Sequence, residues 1–460
     1  MDKSVEYFRK ILAIPRPSGK EEKVADFLCD FASRNHFECY RDTHNNVIIK
    51  KNNNSRKTII LQGHIDMVCI AEKGVYKNFD AEGIDWVLEG DYIHAQKTSL
   101  GADNGVGVAV ILSLLEENNA RFPNIEAVFT VQEETTMLGA NTVNYSKLSG
   151  NTLLSLDGDR EGVIEVSSAG FCSVKINKKL KKINPKEKLN IFSIEISGLT
   201  GGHSGDDIDK GRLSANKLLG LMLKEIEPQG IISIYGGEKS NSIPVMAICD
   251  FVTTKTVGEI SSICSKYRKL EEENKNHPNI VFTKIEDGNW NIYDESNISA
   301  FLSEFGQGVL FANGDGFPIV SQNLGMVRFK NGEVEFTISL RSSDKHLEKL
   351  CLEKLKEFSK GYKFDYVLEY SNPFFSYNKN SVLRPKLIKA YKSLYGIPAR
   401  ERNIHAGLEG GVFAKNISDI DICVIGADIY DMHSTKERVR VSSIHRVYGW
   451  VFKTLKDFAR

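Results

Sequence analysis

No window of this 460-residue chain approaches the roughly 18 consecutive apolar residues that a membrane-spanning helix needs. Net charge is also missing. Sixty basic side chains balance sixty acidic ones, so no long-range field favours nucleic acid or an anionic membrane. No basic run is interleaved with aromatics, and there is no short-period repeat or low-complexity tract. The eight cysteines are scattered without a C-x-x-C pair and read as reduced structural thiols. Cys69 is expected to be a small buried hydrophobe. Met1–Ile14 carries Asp2, Glu6, Arg9 and Lys10, so it lacks the unbroken apolar stretch of a signal peptide, and the cytoplasm is the expected compartment.

What remains is the composition of a soluble globular protein, 41% apolar and 26% charged, in a chain too long for one hydrophobic core. Val5–Ile14 has helical spacing and stops at Pro15-Arg16-Pro17. Ser18 followed by Glu21 reads as a capping box opening a second helix to about Ser33. Val47–Lys50, Lys57–Ile65, Ile125–Val131 and Thr152–Leu156 read as strands, and Asp103 begins a helix with Val106, Val110, Leu114 and Leu115 on one face. Strands alternating with helices predict an α/β fold, a mostly parallel doubly wound sheet with helices on both faces. Asp421–Ile425 is a further apolar run, so the C-terminal segment is expected to return to that sheet. Lys178–Lys188, Lys-rich and holding Pro185, reads as a linker. Beyond it, antiparallel-looking strands alternate with amphipathic helices, and Val320–Leu340 is a hairpin about Lys330-Asn331-Gly332. The expected organisation is a discontinuous domain, residues 1–185 and 378–460, around an inserted α+β domain, residues 186–377.

Doubly wound sheets bind ligands at the carboxyl ends of their strands. Metal-capable side chains occupy those places here: His64, Glu134 and Asp157 each follow an apolar strand, Asp103 lies in a glycine-flanked loop at a helix start, and His433 follows the last apolar run. Singly, each has a plainer reading. H-x-D at His64 and Asp66 can cap a turn, Asp103 can be an N-cap, and Glu133-Glu134 can be a solvated acidic loop. As a set, two imidazoles and three carboxylates suit a two-metal hydrolytic site, with zinc the first choice and manganese or cobalt alternatives. Asp66 and Glu133 stand where a ligand-orienting group and a general base are needed.

Gly63-His64-Ile65-Asp66-Met67-Val68, Leu100–Gly107, Gly198–Gly205, Asn241-Ser242-Ile243-Pro244, Leu340-Arg341-Ser342 and His405–Gly411 together resemble the co-catalytic dizinc exopeptidases related to aminoacylase and carboxypeptidase G, and within them the aminoacyl-histidine dipeptidase branch. The resemblance runs over essentially the whole chain. It implies that His64 and Asp157 hold one zinc, that Glu134 and His433 hold the other, and that Asp103 bridges. It implies Asp66 as support for His64 and Glu133 as general base. It also implies that the inserted domain is a lid carrying His203 for the oxyanion, Asn241 and Arg341 for the substrate carboxylate, and Gly407 along the substrate backbone. Without it, His203 could sit in a mere glycine turn and Arg341 could pair with Asp344. Gly410 and Thr435 depart from the cysteine and proline usual in the branch, and Gly426–Met432 is longer. The implied activity is a metal-dependent dipeptidase acting on short peptides with a free C-terminus, Xaa-His dipeptides such as carnosine among them, as a monomer or homodimer. A tripeptidase, an N-acyl-amino-acid amidohydrolase, or a non-catalytic metal-dependent peptide binder are the alternatives.

Overall fold

The computed structural model describes residues 3–119, 121–272, 276–286, 288–295 and 297–459. The chain divides into two compact units. The first comprises residues 1–168, 375–404 and 408–460; the second comprises residues 169–374 and 405–407.

The first unit is built on an eight-stranded sheet in the order Glu38–Arg41, Val47–Lys51, Asn124–Thr130, Thr58–His64, Thr152–Gly158, Asp421–Gly426, Val163–Ser167 and Arg400–Asn403. Its centre is parallel: Thr58–His64 lies between Asn124–Thr130 and Thr152–Gly158, and Asp421–Gly426 joins Thr152–Gly158 in the same sense. Antiparallel pairing enters at Glu38–Arg41 with Val47–Lys51, at Val47–Lys51 with Asn124–Thr130, and where Asp421–Gly426 meets Val163–Ser167. The sheet is therefore mixed at its flanks, and the C-terminal segment returns to it as expected.

Helices cover both faces. Ile59 and Leu61 point into one core, with Phe8, Leu28, Ile111 and Trp450, while Ile60 between them points into the other, with Val128, Leu153 and Phe413. That alternation is why Thr58–His64 reads as a continuous apolar run. Helix Ala102–Glu116 is buried almost all round, because its sequence is apolar on every side. Its first turn is irregular: Gly101 is left-handed at φ +75°, and Asp103 and Asn104 leave helical torsions, so Asp103 is not wound into the helix surface. No helix among the described residues is long and apolar enough to cross a membrane.

The second unit has an antiparallel sheet whose main path runs Asn279–Ile285, Asn190–Ser197, Ala247–Thr253, Gly230–Gly236, Pro318–Lys330, Glu333–Ser342, Gly170–Lys179 and Asp365–Asn372. Helices Ala215–Ile226, Ile298–Glu304 and Lys345–Gly361 supply Leu219, Phe301 and Leu355 to its core. Asn331 and Gly332, both at positive φ, turn Pro318–Lys330 into Glu333–Ser342, which is the hairpin the Asn-Gly pair predicts.

Two local expectations fail. Helix Glu22–Arg34 has no capping box, since Glu21 makes no side-chain cap bond. The Ser18 hydroxyl instead donates to Asp66 Oδ2 at 2.7 Å, and Glu21 Oε1 accepts from the Gly19 and Gln132 amides. Lys178–Lys188 is not a linker along its length. Lys178 and Lys179 end the strand Gly170–Lys179, which lies between Glu333–Ser342 and Asp365–Asn372. The chain crosses between units earlier, at Ser168–Ala169. The lysines stand on exposed or half-buried positions of a strand, where long charged chains are tolerated.

Trp450 shows how the C-terminal helix Val441–Ala459 is anchored: it is fully buried, packs on Tyr391 at 4.7 Å, and donates from Nε1 to the Leu387 carbonyl at 2.9 Å. Trp450→Ala should lower unfolding free energy by about 3–5 kcal/mol, measured by denaturant titration; a loss below about 1 kcal/mol would contradict this packing.

Candidate metal centre

In the first unit the structure brings together His64, Asp66, Asp103, Glu133, Glu134, Asp157 and His433. His64 is the last residue of its strand, and Asp157 is the penultimate residue of the neighbouring one. Glu133 and Glu134 follow the end of Asn124–Thr130, and Asp103 comes from the irregular start of helix Ala102–Glu116. His433 lies in the turn between Ile429–Tyr430 and Arg438–Arg440, which pair antiparallel.

Asp103 is the centre of the arrangement. Its Oδ1 lies 3.0 Å from His64 Nε2, and its Oδ2 lies 3.3 Å from His433 Nε2. Asp157 Oδ1 is 3.4 Å from the same nitrogen of His64, and Glu134 Oε1 is 2.9 Å from that of His433. Three groups offer ligand atoms within 4.8 Å of one another: His64, Asp103 and Asp157; Asp103, Glu134 and His433; and His64, Glu133 and Glu134. The first two share Asp103. Donor atoms around a tetrahedral zinc at about 2.0–2.1 Å stand about 3.3–3.5 Å apart, close to the spacings seen here. The donor set thus fits two divalent cations joined by one carboxylate.

Asp66 supports this arrangement from behind. Its Oδ1 lies 3.2 Å from His64 Nδ1, the ring nitrogen facing away from Asp103. The same carboxylate accepts the Glu133 amide at 3.1 Å, the Glu134 amide at 3.3 Å and the Ser18 hydroxyl. One buried carboxylate thereby fixes the ring of His64 and the backbone of both glutamates.

The electrostatics show a deficit of positive charge. Burial raises Glu133 well above the usual carboxyl range; His64 opposes this, while Glu134, Asp157 and Glu409 add to it. Burial likewise raises Glu134 and Asp157. Asp103 behaves oppositely: burial would raise it, but hydrogen bonds from His433 and His64 hold it well below the ordinary range. Burial disfavours charge on both imidazoles, yet Asp157, Asp103 and Asp66 lift His64 well above its ordinary value, and Asp103 and Glu134 push His433 up to about 11. Protons on the two rings occupy the lone pairs that cations would use.

The second unit has a cluster of its own. His203 lies on the short strand Gly202–His203, paired with Ser242–Ile243, so Asn241 is its near neighbour, and the Asn241 carbonyl accepts the Ser204 amide at 2.8 Å. Arg341, on Glu333–Ser342, places Nη2 at 3.1 Å from His203 Nε2 and its guanidinium over the Phe171 ring at 4.9 Å. Asp344 caps helix Lys345–Gly361 through the His346 and Leu347 amides. Arg341 is 5% exposed and its Nε has no partner among the described residues. Burial lowers its pKa to about 10, so it remains a cation. His405 is buried, with Nε2 at 2.8 Å from Ser321 Oγ; burial and then Arg341 push it down to about 4, so it is neutral. Gly407 lies two residues on, half-buried.

A family model described as peptidase family M20/M25/M40 matches residues 60–457. The chain belongs to this family. The peptidase is 29% identical over 470 residues to a cytosol non-specific dipeptidase of Escherichia coli, with 98% of this chain and 96% of the relative covered. Its fold matches a crystal structure of an aminoacylhistidine dipeptidase from Vibrio alginolyticus at TM-score 0.83 and 25% identity, covering 99% of this chain and 96% of that one. A tripeptidase from Staphylococcus aureus shares the fold at TM-score 0.59 and 16% identity, covering 100% and 98%.

Several residues of the peptidase's site were not singled out from sequence. Asn104 Nδ2 donates to the Leu156 carbonyl at 2.9 Å and to Asp157 Oδ1. A Cβ at Gly107 would come 2.0 Å from Asn104 Oδ1, which accounts for that glycine. Glu409 is fully buried and accepts from Gln62 Nε2 at 2.5 Å and Thr130 Oγ1 at 2.6 Å; burial raises it to about 8. Arg16 and Glu437 hold backbone rather than side chains. No local signal in the sequence marks them, because their partners lie far along the chain.

The raised imidazoles set a pH dependence. Metal-free protein at neutral pH carries protons on His64 and His433, and ligation requires both to leave. Apparent zinc or manganese affinity should therefore rise with pH from 6 to 8, by roughly tenfold per pH unit for each proton released. Calorimetric titrations of chelator-stripped protein in buffers of different ionisation enthalpy would count those protons; pH-independent affinity without proton release would contradict the arrangement.

Proposed function

We propose that this peptidase is a metal-dependent dipeptidase acting on short peptides with a free C-terminus, Xaa-His dipeptides such as carnosine among them, in the cytoplasm. The observation that carries the reading is the single carboxylate of Asp103, whose two oxygens face the imidazoles of His64 and His433. The dipeptidase names of the Escherichia coli and Vibrio alginolyticus relatives support the substrate class.

In this reading His64 and Asp157 would hold one cation, Glu134 and His433 would hold the other, and Asp103 would serve both. Zinc is the first choice, with manganese or cobalt alternatives. Bound as a pair, the cations supply a water of lowered pKa and polarise the scissile carbonyl. Glu133 is the general base. It takes the water's proton and returns it to the leaving amine. A carboxyl whose pKa is raised by burial suits that task, because it takes up a proton more readily than a solvent-exposed one. Asp66 keeps the His64 ring turned so that Nε2 faces Asp103 and Asp157. On the second unit, His203 is proposed as the donor to the developing oxyanion. Asn241 and Arg341 are proposed to receive the substrate carboxylate, and Gly407 to line the peptide backbone. The buried guanidinium with an unpartnered Nε supports the role of Arg341.

Glu133→Ala should keep stoichiometric metal and lose turnover by about 10²–10⁴-fold. Near-normal turnover with both metals bound would remove Glu133 from the role. Arg341→Met should raise KM for dipeptides by about 10–100-fold and leave C-terminal amides, which lack the carboxylate, little changed; equal effects on both would contradict the carboxylate role. Parallel assays on carnosine, other dipeptides, tripeptides and N-acetyl amino acids should rank the dipeptides first.

A further inference from the structure

Glu437 stands four residues after His433 in sequence, yet its buried side chain serves the loop that carries Asp103. Its Oε2 accepts the Leu100 amide at 2.7 Å and the Gly101 amide at 2.9 Å. Its Oε1 accepts the Ala102 amide at 2.8 Å and the Asp103 amide at 3.3 Å. These N–H groups open helix Ala102–Glu116, where intrahelical acceptors are lacking and the helix dipole favours an anion. A fully buried cation grips the other side of the same loop. Arg16 donates from Nη2 to the Gly101 carbonyl, and from Nη1 to the Asp66 carbonyl at 2.7 Å and the Ile65 carbonyl at 3.2 Å. Gly101 is therefore held through its N–H by an anion and through its C=O by a cation.

The neighbouring glycines are cut to this arrangement. A Cβ at Gly101 would come 2.6 Å from Arg16 Nη2, and one at Gly105 would come 2.7 Å from the same atom. Gly101 also needs its positive φ. The result ties three separate stretches together: Ile65–Asp66 beside His64, Leu100–Asp103, and the segment that bears His433. Neither charged side chain hydrogen-bonds to a candidate ligand atom.

We propose that Glu437, opposed by Arg16, is a positioning residue of the metal centre, holding the backbone of Leu100–Asp103 so that the two oxygens of Asp103 face the two imidazoles. This rests on reading Asp103 as the shared ligand. Without the carboxylate, the amides must find other partners and the peptide plane of Asp103 turns with them. Affinity at both positions then falls together, because one ligand belongs to both.

The test uses Glu437→Gln, which keeps the shape and removes an acceptor, and Arg16→Lys, which cannot span three carbonyls. The full-length chelator-stripped proteins are titrated with zinc and with manganese against a chromogenic competitor, and their metal-free melting temperatures are recorded. Thr256→Ala, which removes a capping box on helix Val257–Tyr267, is the control for helix capping alone. The expected result is a rise of about 10–100-fold in the dissociation constants of both metals for Glu437→Gln and Arg16→Lys, with kcat lowered at subsaturating metal and KM for peptide little changed. Thr256→Ala should lower the melting temperature without changing metal affinity. If either variant does not fold, the other decides. Wild-type metal affinity in the folded variants would overturn the proposal, leaving Glu437 and Arg16 as structural groups. Asp103→Ala separates the two levels: if it keeps both metals, the ligand assignment itself fails.

Discussion

Four carboxylates and two imidazoles share a small volume at the strand ends of the first unit, and that crowding governs the rest of the site. Asp103, Glu133, Glu134 and Asp157 cannot all be ionised side by side out of water without nearby positive charge. In the metal-free state protons on His64 and His433 supply part of it, which is why both rings are lifted above their ordinary values. Divalent cations would supply it more fully. The fold therefore holds these side chains in an arrangement whose best electrostatic solution is a pair of metals, and the parallel strands, with carboxyl ends on one side, make the convergence geometrically simple.

The structure separates two kinds of work. Side chains that would touch metal or water come from strand ends, a helix start and a hairpin turn, while those that fix them come from elsewhere. Asp66 acts on a ring and on two amides. Asn104 braces Asp157 and forces glycine at position 107. Arg16 and Glu437 act on the main chain. Glu409 joins Gln62 to Thr130, on adjacent strands that lead to His64 and Glu133. Each of these supports is buried, so its hydrogen bonds lose little to competition with water.

This division explains what could be read from the sequence. The central strands of the first sheet were legible because both faces are buried and the residues are apolar without interruption, whereas Glu38–Arg41 and Arg400–Asn403 at its ends are polar and largely exposed and were not. The candidate ligands were legible because polar residues immediately after such runs are unusual and were of one chemical kind. The Asn331-Gly332 turn was legible from local torsional preference. The supports were not, because nothing local distinguishes Glu437 from any glutamate in a polar loop; its partners lie over three hundred residues away. Ser18 and Glu21 matched a capping pattern, but longer-range partners, Asp66 and Gln132, took their hydrogen bonds. The lysines before residue 188 looked like a tether because composition does not reveal that Lys178 and Lys179 end a strand paired on both sides.

The hairpin that carries His433 gives the centre an order of assembly. His64, Asp103 and Asp157 are all present once residue 157 has been made, whereas His433 comes much later in the chain. The strand Asp421–Gly426, which enters the sheet between Thr152–Gly158 and Val163–Ser167, arrives equally late. A nascent chain on the ribosome therefore lacks both a central strand and the second imidazole until residues 421–433 have been made. The proposed two-metal centre thus waits for residue 433 to join the strands that carry its other candidate ligands.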